Sequence, residues 1–216
     1  MAKKLRVCSI CGQKTVELSK DHVPPKSIFM EPRPKNSITV RACTRCNNGS
    51  SALDQKFGVY LSLHAANSNQ IAEKLLKTSA MDTLNKNKKL TDNIIAGLRP
   101  AYLATESGVI YDKADVVLWD NEAYNSIIER TVRGLYFHHY KQVLGNKVGV
   151  TVCMLRKIPA ELLEFMEFFA YNEIGHQGEF VYKYMRSEEN PLYSMWIFQF
   201  YNSLFATGTT KPLASP

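Results

Sequence analysis

Apolar residues recur at helical spacing after Ser51, at Leu53, Phe57, Tyr60 and Leu61, and predict a helix there. A second helix is expected over about Asn69–Leu84, followed by a polar, lysine-bearing loop over Asn85–Asn93. Leu103–Asp120 reads as one or two strands around the turn Glu106-Ser107-Gly108. Glu122–Leu144 reads as a long helix through Ile128, Val132, Leu135, Tyr136 and Val143. The β-branched run Lys147–Leu155 predicts a strand, and Pro159 opens a helix reaching Tyr171. Alternation over Glu179–Arg186 and Leu192–Thr207 predicts a hairpin across Ser187–Pro191, with Thr210–Pro216 a loose tail. This part of the chain is therefore expected to be α+β, helices on a mainly antiparallel sheet.

The first quarter of the 216 residues follows a different rule. Met1–Lys56 holds eleven Lys or Arg against Glu17, Asp21, Glu31 and Asp54, which accounts for the whole formal charge of +7. The rest of the chain is charge-neutral. A basic module on a neutral body suits contact with a phosphate backbone, because Lys and Arg displace its condensed counterions. The expected division is a module at 1–66 and an α+β domain at 67–216. No apolar run approaches the length of a membrane span, and the N-terminus lacks the apolar core of a signal peptide. A cytoplasmic protein without a membrane partner is the expectation.

Four of the five cysteines form two CxxC pairs, Cys8–Cys11 and Cys43–Cys46, with 31 residues between them. Two such knuckles complete a tetrahedral shell, so the expected cofactor is a structural Zn²⁺ held by four thiolates. The metal would substitute for the core that about 60 residues cannot supply. Cys153, in an apolar run, is expected to be a buried core residue.

Between the knuckles lies Ser19-Lys20-Asp21-His22-Val23-Pro24-Pro25-Lys26, and Asn47-Asn48-Gly49-Ser50 follows the second. Hydrolysis of a phosphodiester needs an activated water and a cation, and neutral imidazole is a suitable base near pH 7. The order CxxC, Asp-His before proline, a loop bearing Asn, then CxxC-Asn at a helix start resembles HNH endonucleases built on a zinc-stapled treble clef. The resemblance covers about residues 5–65. It implies a ββα-metal fold, His22 as general base, and Asp21 and Asn47 as ligands of a catalytic Mg²⁺ or Mn²⁺. It implies that a middle Asn orients the loop, for which Asn36 is the candidate, although it stands eleven residues before Asn47. Lys20, Lys26, Arg41 and Arg45 would seat the nucleic-acid backbone.

Three features stay open. Asp54 either shares a helical face with Asn47 and Ser51 or, as part of Ser-x-x-Asp, caps the helix, and the cap is the favoured reading. Arg130, Gly134 and His138 share a face on which phosphate binding or close backbone approach is conceivable. His138 and His139 read as packing residues, His64 as an ordinary polar position, and the aromatic strand Tyr193–Tyr201 as core or an oligomer contact. The leading expectation is an HNH-type endonuclease cutting DNA, ahead of RNA, in a phage, mobile-element or defence setting. The alternatives are a non-catalytic zinc-bound DNA- or RNA-binding protein and a toxin-like RNase. Homodimer or partner contacts are expected through residues 67–216.

Overall fold

The computed structural model describes residues 4–105, 107–118, 120–155, 157–175 and 178–213. A short antiparallel pair, β1 (Arg6–Val7) and β2 (Lys14–Thr15), precedes a hairpin of β3 (Leu18–His22) and β4 (Thr39–Cys43). From Cys43 the chain passes directly into α1 (Thr44–Asn48) and then α2 (Ser51–Ala65). Next come α3 (Gln70–Leu75), a π turn at Leu76–Ala80, α4 (Met81–Lys86) and α5 (Lys88–Gly97). A second hairpin, β5 (Leu98–Ala104) and β6 (Ile110–Val117), leads into α6 (Asn121–Tyr140). The remainder is β7 (Val148–Leu155), α7 (Ala160–Phe165), β8 (Ala170–Ile174), β9 (Phe180–Arg186), β10 (Ser194–Phe200) and β11 (Leu204–Pro212). Strands β7 to β11 form one antiparallel sheet in the order β7-β11-β10-β9-β8. The chain is α+β, with helices and an antiparallel sheet.

Several boundaries differ from the sequence reading. The loop expected over Asn85–Asn93 is mostly helix, because the Asn87 side chain caps Leu90 N–H while Leu90 and Ile94 are buried together. The helix from Pro159 gives way to a 3-10 turn at Met166–Phe168, and Ala170 already pairs with Tyr184 in the sheet. α6 stops at Tyr140 because Lys141 is left-handed, with φ 56°. The segment Leu192–Thr207 is two strands, since Tyr201 and Asn202 both take positive φ and reverse the chain. Part of the expected tail is therefore the end of β11, paired to β7 as far as Pro212. Cys153 is exposed rather than core, because in β7 it alternates to the face of the sheet opposite the core. Of the expected turn at Glu106-Ser107-Gly108, Glu106 lies outside the described residues.

Helix α6 is the hub. Asp120 caps it, accepting from Ala123 N–H at 2.9 Å. Tyr124, Ile127, Ile128, Val132, Leu135 and Tyr136 recur every three or four residues and are all buried. They meet Trp196, Phe198, Phe200 and Ala206 of the sheet together with Phe57 and Leu61 of α2 in one continuous core. Burying each such aliphatic side chain stabilises by about 1.5–3 kcal/mol. The 3-10 turn after β3 joins the same core through Ile28, whose carbonyl accepts from the buried Tyr201 hydroxyl at 2.6 Å.

Two glycines allow these approaches. A Cβ on Gly208 of β11 would collide with Val132 of α6, and a Cβ on Gly134 of α6 would collide with both methyls of Val23. Val23 is fully buried, β-branched and next to His22, so it has no rotamer into which to retreat. Gly134→Ala gains about 1 kcal/mol of helix propensity. The overpacking costs about 1–3 kcal/mol and outweighs it. A lower melting temperature is expected, and a variant more stable than wild type would show that α6 does not bear on Val23.

Candidate active site

The two knuckles are built differently. In the first, the chain turns between β1 and β2, with Cys8 N–H donating to Gln13 O at 2.9 Å and Gly12 at φ +77°. In the second, Cys43 ends β4 and Cys46 lies in the first turn of α1. Ser9 N–H donates to Arg41 O at 2.9 Å and holds the first knuckle against β4. All four sulfurs fall within 4.8 Å of one another, and Cys11 Sγ and Cys43 Sγ are 3.9 Å apart. A tetrahedral ion with bonds of about 2.3 Å to sulfur separates its ligands by roughly 3.8 Å. The cluster is thus compatible with a structural zinc site.

The four thiols are not equivalent: Cys8 is shifted down while Cys11 and Cys46 are pushed up. Cys8 is pulled down to about 4, first by the Cys46 thiol and then by backbone N–H groups, against the effect of burial. Cys43 N–H donates to Cys8 Sγ at 3.3 Å. Cys8, Ile10, Val23, Val40 and Ala42 form a small apolar cluster around this corner, with Phe137 of α6 packed on it.

Alternation along β3 sends Asp21 and His22 to opposite faces. Asp21 turns inward and is 3% exposed. Its Oδ2 has no hydrogen-bond partner and lies 3.9 Å from Nε of Arg130, itself 6% exposed. The same guanidinium donates from Nη2 to Asp54 Oδ1 at 2.5 Å. One arginine of α6 therefore stands between a carboxylate of β3 and one of α2. Burial raises the Asp21 carboxyl above its ordinary range, with Arg130 pulling it back. Asp54 is pushed up to about 6, mainly by burial, again opposed by Arg130.

This arrangement decides the reading of Asp54. Its carboxylate faces Arg130, and no side chain caps the start of α2. The capping role falls because Ser50, whose backbone carbonyl accepts from Asp54 N–H, directs its hydroxyl to Cys46 O and Asn47 O. Arg130 is the residue that the sequence reading did not place in the site. Its signal was available: a permanent cation inside the apolar stripe of α6, between Ile127, Ile128, Thr131 and Val132.

Asn47 sits beside β3 on the Asp21 side. Its amide nitrogen donates to Ser19 Oγ at 2.7 Å and to Lys20 O at 3.1 Å, which leaves the amide oxygen as the available donor atom. Among the described residues, the cysteines are the only group of three or more His, Cys, Asp or Glu converging on one point.

His22 faces the other way, half-buried, its pKa lowered by burial and then by Lys26, Arg33 and Lys20, so it is neutral at pH 7. Lys20 shares its face and stands directly opposite Arg41 on β4. Lys20, Lys26, Arg41 and Arg45 are all exposed. Asn36 is engaged elsewhere: it donates to Glu173 O at 2.9 Å and accepts from Gly175 N–H at 3.3 Å, tying the long β3–β4 connection to the end of β8.

His139 is enclosed by tyrosines, its Nε2 and Nδ1 each 2.9 Å from the hydroxyls of Tyr182 and Tyr184. Burial lowers its pKa to about 4. His138 lies edge-on to it, at 4.9 Å between ring centroids. His64 links Tyr60 O to Val117 O across the root of the β5–β6 hairpin. No helix is long and apolar enough to cross a membrane among the described residues. Comparison with models of known protein families, with curated proteins and with solved structures finds no match.

Two measurements test this geometry. Arg130→Met leaves two carboxylates buried without their cation and is expected to cost about 3–5 kcal/mol in denaturant unfolding. Lys56→Met, which breaks the more exposed pair with Asp120, is expected to cost only about 0–1 kcal/mol. Equal losses would mean that Arg130 is not the buried keystone. The purified protein is expected to carry about one zinc per chain, lost in Cys43→Ser together with folded structure around β1–β4. Retention of zinc by that variant would remove Cys43 from the cluster.

Proposed function

We propose that the protein is a metal-dependent endonuclease of the HNH type, hydrolysing phosphodiester bonds in DNA. In this reading the cysteines hold a structural zinc in a treble-clef scaffold, and β3, β4 and the helix after the second knuckle form the ββα-metal unit. His22 removes the proton from the attacking water. Asp21 and Asn47 hold a Mg²⁺ or Mn²⁺ ion, which when bound stabilises charge on the reacting phosphate and the leaving oxygen.

The observation that carries the reading is the face on which His22 stands. Lys20 and Arg41 are cross-strand neighbours of like charge, a pairing that destabilises a hairpin unless an anion lies over it. Both are exposed, and the imidazole of His22 is on the same face of the hairpin. A phosphate backbone laid along this face meets two cations and a neutral base together.

One observation favours a second reading, a nucleic-acid-binding protein without hydrolytic activity. Asp21 is buried against Arg130, so a cation reaches it only beside a guanidinium. Nicking of supercoiled plasmid in Mg²⁺ or Mn²⁺ separates the two. His22→Ala is expected to lower the nicking rate by about 100-fold or more while DNA affinity stays within a few-fold of wild type. Binding by both proteins with cutting by neither, under any divalent ion, would leave the binding protein as the answer.

A further inference from the structure

The β5–β6 hairpin is a folded element with almost nothing covering it. Its strands form a two-stranded sheet of their own, and neither strand contains a buried residue. Tyr102 and Tyr111 are 66% exposed, Ile110 61% and Val109 62%, and Leu103, Val116 and Leu118 are exposed as well. Only the root is anchored, where Val117 packs on the cluster of Val59, Tyr60, Leu90 and Ile94 and its carbonyl meets His64. A lone two-stranded hairpin is marginal in water, and an apolar patch of this extent marks a contact surface.

We propose that this hairpin is a dimerisation arm, paired edge to edge with the same hairpin of a second copy of the chain. The arm's charges name the occupant. Arg99 and Lys113 stand against Glu106, Asp112 and Asp115, a net charge of −1 that does not attract a phosphate backbone, and the mixed signs on β6 complement themselves. The strands select the edge. Pro100 has no N–H and disables part of the outer edge of β5, whereas β6 is free of proline. Antiparallel pairing of β6 with its own copy about a two-fold axis at Ala114 brings Lys113 of each chain across from Asp115 of the other. Tyr111 of each chain then stands beside Val117 of the other, and Ile110 beside the exposed Leu118. The inference does not depend on the nuclease reading.

Sedimentation velocity of the full-length protein up to about 100 μM tests it. The wild type is expected to sediment as a dimer. Lys113→Asp, and separately the double change Asp112→Lys with Asp115→Lys, are each expected to weaken association by about tenfold or more with unchanged near-UV circular dichroism. An equimolar mixture of the two variants is expected to restore the dimer. A monomeric wild type at the highest concentration overturns the proposal, including the case in which a different protein covers the arm. A dimer unaffected by both variants overturns it by placing the interface elsewhere, and a mixture that stays monomeric overturns the edge-to-edge pairing. Should Lys113→Asp lose its fold, Tyr111→Glu serves in its place and is held to the same loss of dimer.

Discussion

A guanidinium buried between two carboxylates costs several kcal/mol per ion in desolvation unless each charge meets its partner, and the position of Arg130 is set by that requirement. Asp21 belongs to β3, Asp54 to α2 and Arg130 to α6, so the three elements must converge on one guanidinium. Everything that places α6 therefore places the candidate site. Gly134 lets the helix touch Val23, Gly208 lets it settle on β11, and the aromatic residues of β9 and β10 form the floor beneath it. The four cysteines of the N-terminal quarter cluster among themselves, but its inward carboxylate faces a residue more than a hundred positions away.

The hairpin of β3 and β4 divides chemistry between its two faces. Inward, Asp21 is buried among charges whose balance is internal. Outward, Lys20, Arg41 and His22 present an uncompensated basic surface. Two of the four carboxylates in the first 56 residues thus turn inward to a single arginine of α6, while Lys20 and Arg41 stay on the exterior. The exterior is the part able to meet a polyanion.

What was readable in the sequence, and what was not, follows from the range of the interactions. The cysteine knuckles are local patterns, four residues each, and their spacing alone predicted a cluster that the fold assembles. The α6 helix announced itself through a stripe with a 3.6-residue period. The end of that helix did not, because a lysine in a left-handed conformation carries no compositional mark. The helix over Lys88–Gly97 was hidden by its lysines, which point to solvent while Leu90 and Ile94 alone face inward. Cys153 was misplaced because a run of apolar residues does not reveal which face of a strand is covered. Asp54 was misread because the capping pattern is satisfied within four residues, whereas its partner is on another helix. Asn36 fitted a spacing approximately and bonds instead to β8. Charge pairs between distant segments leave almost no trace in a single sequence.

The strand order of the large sheet has a temporal meaning. β11 lies between β7 and β10, so a strand made after both of them occupies an interior position. Until it emerges, β7 has no neighbour, and the surface on which Val132 and the rest of α6 rest has a gap in its middle. Domains generally fold as units during synthesis, and long-range strand pairings form slowly. The cysteine module precedes all of this in the chain, yet Asp21 meets its arginine only once α6, a hundred residues later, has been made. Translation thereby acts as a timer: a nascent chain that has not yet exposed β11 lacks the middle of the sheet on which α6 rests.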